Sequence, residues 1–215
     1  MNSNILIAQS FGPASVLEFF TQKLSPLKSG MARIQVKASG INPIDARRMT
    51  GEFKHAGLPQ TFGTEFSGII IALDDQASNW AIGDEVLGSG GAFTHATVID
   101  VPLGNLIARP KNLSWEIAGS IPGVAQTAMT ILDEIGPVKS LLIHGGSGGV
   151  GSIAIQIAKE RGIDVVATAS AKNQSYLESL GATAVVYGPG LTERLQAIHP
   201  AAFDASVDMV GTEEA

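Results

Sequence analysis

His144-Gly145-Gly146-Ser147-Gly148-Gly149-Val150-Gly151 joins a short apolar run to a longer amphipathic one. Leu141-Leu142-Ile143-His144 before it reads as a buried strand. After it, Val150, Ile153, Ala154, Ile157 and Ala158 share one face of a helix over 149–161, which Gly162 ends. The turn between them contains G-x-G-x-x-G at Gly146, Gly148 and Gly151. In such a turn one glycine permits the bend, the next lets backbone N–H groups approach a pyrophosphate, and the last lets helix and strand pack closely. The helix N-terminus then faces the anion. Residues Gly146, Ser147, Gly148, Gly149, Val150 and Gly151 are therefore the candidate cofactor loop. A turn with no ligand, or the first turn of a methyltransferase, is the competing reading; the β-rich first half of the chain argues against the methyltransferase.

Outward from the loop, strand and helix alternate strictly. Strands are predicted at 165–168, 184–187 and 205–210, and helices at 173–180 and 191–198. That order makes a parallel, doubly wound sheet. Upstream, Ser114 caps a helix beginning at Trp115, Pro122-Gly123 interrupts it, and a further helix runs from Ala125 to about Ile135. The first half is strand-like and rich in turns. Ala32 to Lys37 alternates, Phe66 to Leu73 is a strand broken at Gly68, and Glu85–Leu87 and Ala96–Ile99 are shorter strands. This half reads as a small irregular β-barrel. The division is placed at 1–112 and 113–215.

An NAD site ordinarily carries Asp or Glu at the end of the second strand, to hold the ribose diol. That end here is Thr168-Ala169-Ser170-Ala171-Lys172-Asn173, which has no acid. Ser170 can donate a hydrogen bond to a 2′-phosphate, Lys172 supplies charge, and Tyr187 ends the third strand nearby. The pattern favours NADP, with Lys172 as an ordinary solvated lysine the competing reading.

Composition narrows the rest. The chain has 215 residues, 45% hydrophobic and 16% charged, enough apolar material for a core. Its net charge of −6 excludes a general nucleic-acid surface. There is no cysteine, so disulfides and thiolate metal sites are excluded. No secretory pattern opens the chain and no run of about 18 apolar residues occurs, so a cytoplasmic protein without membrane attachment is expected.

Several further segments carry a family likeness. They are Gly40-Ile41-Asn42-Pro43-Ile44-Asp45, Gly63-Thr64-Glu65-Phe66-Ser67-Gly68-Ile69-Ile70, Trp80-Ala81-Ile82-Gly83-Asp84-Glu85-Val86, Gln126-Thr127-Ala128, and Phe203-Asp204 through Asp208-Met209-Val210-Gly211. Together with the loop they resemble the quinone oxidoreductase branch of the medium-chain dehydrogenase/reductase superfamily. The resemblance implies a GroES-like β-barrel domain followed by a Rossmann domain, with an active site in the cleft between them. Zinc-dependent relatives carry Cys where this chain has Asn42 and His where it has Thr64, so the resemblance implies no zinc. His55, His95, His144 and His199 show no ligand spacing.

The resemblance places Asn42 and Thr127 near the nicotinamide and its ribose. Asn42 before Pro is equally a turn signal, and Thr127 equally a plain helix residue. Asp45 is expected to orient the segment rather than act as a base, and Glu65 to serve structure. Phe53 stands where some relatives place a Tyr, which puts a tyrosine acid in doubt. Without a metal, hydride must pass to an acceptor that needs little electrophilic help, such as a quinone or activated enone, with water protonating the product. The expected activity is an NADPH-dependent reduction of such acceptors.

Four parallel strands are found, where the complete 3-2-1-4-5-6 order has six. The Rossmann domain is therefore expected to be incomplete, its last strands and the family's dimer edge missing. This keeps open a catalytically inactive dinucleotide-binding fragment. An enoyl-reductase-like domain acting on thioesters is the other alternative. A bare fourth strand predicts association of the isolated chain, and a homo-oligomer is left open.

Overall fold

The structure is a computed structural model that describes residues 1–52, 57–74, 79–91 and 93–211. The chain forms two compact units, Met1–Gly123 and Val124–Ala215.

In chain order the first unit holds β1 (Asn2–Ala8), β2 (Leu17–Lys23), β3 (Met31–Ala38), α1 (Pro43–Thr50), β4 (Gln60–Thr61), β5 (Glu65–Leu73), β6 (Glu85–Ser89), β7 (Val98–Pro102), β8 (Leu106–Ala108) and α2 (Trp115–Ala118). They form antiparallel sheets in the orders β2-β1-β4 and β7-β3-β5-β6-β8, joined by an Ile5–Ala96 bridge. Alternation in β3 turns Ala32 and Ile34 into the core beside Phe66, Ile70, Val86 and Val101. On the other face Arg33 forks onto Asp100 of β7, Nε to Oδ1 at 2.7 Å and Nη2 to Oδ2 at 2.8 Å.

The predicted break at Gly68 does not occur. β5 runs through it, with a register shift against β3 between Val36 and Ala38, and the backbone of Gln35 in β3 lies too close for a side chain there. The segment 113–123 packs with the first unit. Ser114 caps α2, Ser67 Oγ donates to Trp115 O at 2.6 Å, and Gly40 N–H donates to Gly119 O at 2.8 Å. The Arg109 guanidinium lies 4.2 Å over the Trp115 ring.

The helix begun at Trp115 is interrupted as expected, but at Gly119, and helix α3 (Pro122–Ile135) opens at Pro122, so the proline begins the second helix. At a first helical position its missing N–H has no partner to lose. Then follow β9 (Ser140–His144), α4 (Gly149–Glu160), β10 (Asp164–Ala169), α5 (Gln174–Ser179), β11 (Thr183–Val186), α6 (Leu191–Ile198) and β12 (Ala205–Asp208). The sheet is parallel, in the order β11-β10-β9-β12. Numbered from β9 this is 3-2-1-4, and the order reverses beside the loop that leaves β9. Leu141, Ile143, Val165 and Ala167 face Leu132 of α3, Ile155 of α4 and Leu177 of α5. Leu142, Val166 and Val185 face α6 through Leu191 and Leu195. Both faces are covered, which is why these strands are continuous apolar runs.

Candidate functional site

The loop after β9 is built on close backbone approach. Gly145 has φ +73°, a left-handed conformation open to glycine, and leans toward Val210. Its N–H points to Thr168 Oγ1 at 3.3 Å, and Gly146 N–H donates to Thr168 O at 2.9 Å, so β10 anchors the turn. A Cβ on Gly146 would meet that of Ala167 at 2.8 Å, and one on Gly151 would lie 2.6 Å from Gly145 O. Gly148 caps α4 with no side-chain bond, and Ser152 is the first helix residue whose N–H reaches Gly148 O. The N–H groups of Gly149, Val150 and Gly151 therefore lack intrahelical acceptors. These residues fit a pyrophosphate: three amides and the positive end of a helix dipole.

The residues predicted for the ribose end gather at the exit of β10. Ser170 precedes a single 3-10 turn, Ala171–Asn173, that leads into α5. Its Oγ is buried and has no hydrogen-bond partner. Lys172 is exposed, as is Tyr187, whose N–H donates to Ala169 O at 3.3 Å and so sits beside the end of β10. Sequence reasoning missed Asn173, whose Nδ2 donates to Ser147 Oγ at 3.1 Å and ties the loop to this turn. It also missed Asp208. Both its oxygens accept backbone N–H groups, from Val210 at 2.7 Å and Gly211 at 3.0 Å. These bonds, from Val210 first, hold the Asp208 carboxyl below its ordinary range, and they fold the end of β12 back toward Gly145. Thr127 is exposed on α3. Val124 of that helix packs against the start of α4, at 3.1 Å from a Cβ built on Gly149, and Thr127 lies three residues on along the same face.

Asn42 and Asp45 form a separate cluster within the first unit. Asn42 is the N-cap of α1, Pro43 the first helical residue, Asp45 the third, and Gly51, at φ +83°, the C-cap. Asp45 is 6% exposed. One oxygen accepts Asn42 N–H at 2.9 Å and the other Gly63 N–H at 2.8 Å. Both oxygens are committed to backbone, so Asp45 holds the segment's shape. Glu65, 1% exposed, accepts Asn42 Nδ2 at 2.8 Å and Gly123 N–H at 2.6 Å. The turn signal at Asn42-Pro43 belongs to a helix start, and asparagine, proline, acid and terminal glycine were together the sequence mark of that helix.

Among the described residues no group of three or more His, Cys, Asp or Glu could hold a metal ion. His95 hydrogen-bonds Gly40 O through Nε2 at 2.9 Å, His144 Nδ1 lies 3.5 Å from Thr168 Oγ1, and His199 stacks on Phe203. His55 and Phe53 lie outside the described residues. No helix among the described residues is long and apolar enough to cross a membrane.

Residues 28–131 match the alcohol dehydrogenase GroES-like domain, and residues 149–215 match the zinc-binding dehydrogenase family. The chain is 32% identical to the quinone oxidoreductase of Coxiella burnetii, with a TM-score of 0.86 over 99% of this chain and 70% of that one. It belongs to the medium-chain dehydrogenase/reductase superfamily. Within the superfamily it is 33% identical to 2-methylene-furan-3-one reductase of Solanum lycopersicum, over 95% of this chain and 56% of the relative. It is 30% identical to the chloroplastic NADPH-dependent alkenal/one oxidoreductase of Arabidopsis thaliana, over 93% of this chain and 56% of that relative. The chain thus spans little more than half the length of these curated relatives. These likenesses place it in the quinone and enone reductase branch of the medium-chain dehydrogenases.

Proposed function

We propose that this chain carries an NADPH-dependent reductase activity toward quinones or α,β-unsaturated carbonyls. The observation that carries the reading is the start of α4: Gly149, Val150 and Gly151 present amides without intrahelical acceptors, behind a turn in which Gly146 and Gly151 leave no room for side chains. The exit of β10 supports NADPH over NADH. No carboxylate stands between Thr168 and Asn173 to hold a ribose diol or repel a phosphate. The unpartnered Ser170 hydroxyl can turn about χ1 to meet a 2′-phosphate, and Lys172 adds positive charge. Tyr187 flanks the same place.

When bound, the reduced nicotinamide supplies the hydride. The chain's own work is to bind and to orient. The amides of α4 hold the pyrophosphate, Ser170, Lys172 and Tyr187 hold the adenosine end, and Asn42 and Thr127 meet the nicotinamide ribose. Asp45 keeps Asn42 at its helix start. The acceptor takes its proton from water, so no side chain need act as an acid, and zinc has no part in the reaction. A cytoplasmic location belongs to the same proposal.

Calorimetric titration with NADPH and NADH tests this. Micromolar binding of NADPH with much weaker NADH is the expected result, followed by NADPH oxidation with a quinone or enone. Equal affinity overturns the Ser170 and Lys172 assignment. Failure of both nucleotides to bind overturns the reading of the loop. Binding without turnover on quinones, enones or enoyl thioesters makes the chain a dinucleotide-binding protein only.

A further inference from the structure

Glu65 is almost wholly buried, and among the described residues no lysine or arginine forms a salt bridge with it. Burying a carboxylate without a counter-ion is costly unless its oxygens accept hydrogen bonds. Here each oxygen accepts one, Oε1 from Asn42 Nδ2 at 2.8 Å and Oε2 from Gly123 N–H at 2.6 Å. The backbone is shaped around the carboxyl. A Cβ on Gly40 would collide with Oε1, and one on Gly123 would stand 3.1 Å from Oε2. Ser39 Oγ and Thr94 Oγ1 donate to the Glu65 carbonyl at 2.7 and 2.9 Å and fix the residue's own backbone.

We infer that Glu65 is a positioning residue which sets the orientation of the Asn42 side-chain amide, so that Asn42 offers Oδ1, an acceptor, to the hydroxyl donors of the cofactor. This rests on the reading that Asn42 meets the nicotinamide ribose. A carboxylate can only accept, so the amide must turn Nδ2 toward Glu65 and Oδ1 away from it. Donation to an anion also draws electron density onto Oδ1 and makes it the better acceptor.

A glutamine at this position distinguishes orientation from bulk. Gly123 N–H is a fixed donor, so in Glu65→Gln the side-chain oxygen serves Gly123 and the amide nitrogen faces Asn42. Asn42 then flips and presents Nδ2, a donor, to the cofactor. Gly123 N–H and the Asn42 amide keep their partners and only one N–H of the new amide lacks one, so the melting temperature is expected to fall by a few degrees with the fold intact. NADPH affinity is expected to fall by roughly tenfold, the loss of the hydrogen bond that a cofactor hydroxyl donates to Oδ1. Adding Asn42→Asp restores an outward acceptor while accepting from the glutamine, and it is expected to recover most of the affinity. Asn42→Asp alone sets two carboxylates face to face and is expected to lose both stability and affinity.

Nuclear magnetic resonance of protein with isotope-labelled asparagine reads the orientation without any nucleotide. The side-chain amide pair that disappears in Asn42→Asp is expected to show one proton shifted downfield by Glu65 in wild type, and no such shift in Glu65→Gln. Absence of that shift in wild type overturns the inference, as does wild-type NADPH affinity in Glu65→Gln or failure of the double variant to recover. If wild type shows the shift but binds no NADPH, the orientation stands and the cofactor reading fails.

Discussion

A methyl group on Gly151 would stand 2.6 Å from the Gly145 carbonyl oxygen and 2.8 Å from Gly146 Cα, both backbone atoms that cannot swing aside. Gly148 differs, since a methyl there meets only Gly145 O, at 3.4 Å. The pair separates the demands of the fold from those of the ligand. Gly151→Ala is expected to cost about 1–3 kcal/mol in urea denaturation, the usual cost of overpacking, and to weaken NADPH binding with it. Gly148→Ala is expected to melt as wild type yet lose NADPH affinity, because its methyl adds bulk at the helix start proposed to meet the pyrophosphate. Unchanged affinity in Gly148→Ala would show that the anion does not lie over this turn. The close packing at Gly146 and Gly151 was legible in G-x-G-x-x-G, since it follows from the absence of a side chain. The bond from Asn173 to Ser147 was not, because nothing in either residue's neighbours along the chain announces it.

At the scale of elements, the starts of β9 and β12 are stitched together by Asp204. Its Oδ2 accepts the N–H groups of Lys139 at 2.8 Å and Ser140 at 2.9 Å, and Ser140 Oγ accepts Asp204 N–H at 3.0 Å. The backbone bonds from Lys139 and then Ser140 hold the Asp204 carboxyl below its ordinary pKa. The folded chain thus binds this proton more weakly than the unfolded one, so acid favours unfolding. The stabilisation is complete above the unfolded aspartate pKa of about 3.9 and is lost as pH falls through the lower folded value. Denaturant melts taken at descending pH are expected to show a smaller acid-side loss of stability in Asp204→Asn than in wild type; equal slopes would remove Asp204 from that role. The strands it joins were predicted from their apolar runs, within a residue or two at each end. Elements without such a run escaped notice. β2 is exposed along nearly its whole length, so burial imposed no alternation on its sequence, and α1 was hidden because Asn-Pro signals a turn and a helix start alike.

Across the whole molecule, among the described residues, each sheet ends in two strands with one side unpaired, β2 and β4, β7 and β8, β11 and β12. β2 also carries Phe19 and Phe20, 81% and 51% exposed, and no lysine before Lys23 guards it. Unpaired edges with aromatic side chains invite pairing with another chain. The polypeptide of 215 residues, made alone, is expected to associate in light scattering, more weakly after Phe19→Lys. A sharp monomer with reversible melting would show that these edges are adequately protected. The sequence by itself determined the sheet of the second unit, its parallel direction and the glycine turn after β9, because hydrophobic period and glycine spacing are properties of neighbours along the chain. Tertiary structure alone decided the attachment of residues 113–123 to the first unit and the bonds of Asp45 and Glu65. Those depend on groups far apart in sequence, Gly63 against Asp45 and Gly123 against Glu65, which only the folded backbone brings within hydrogen-bond reach.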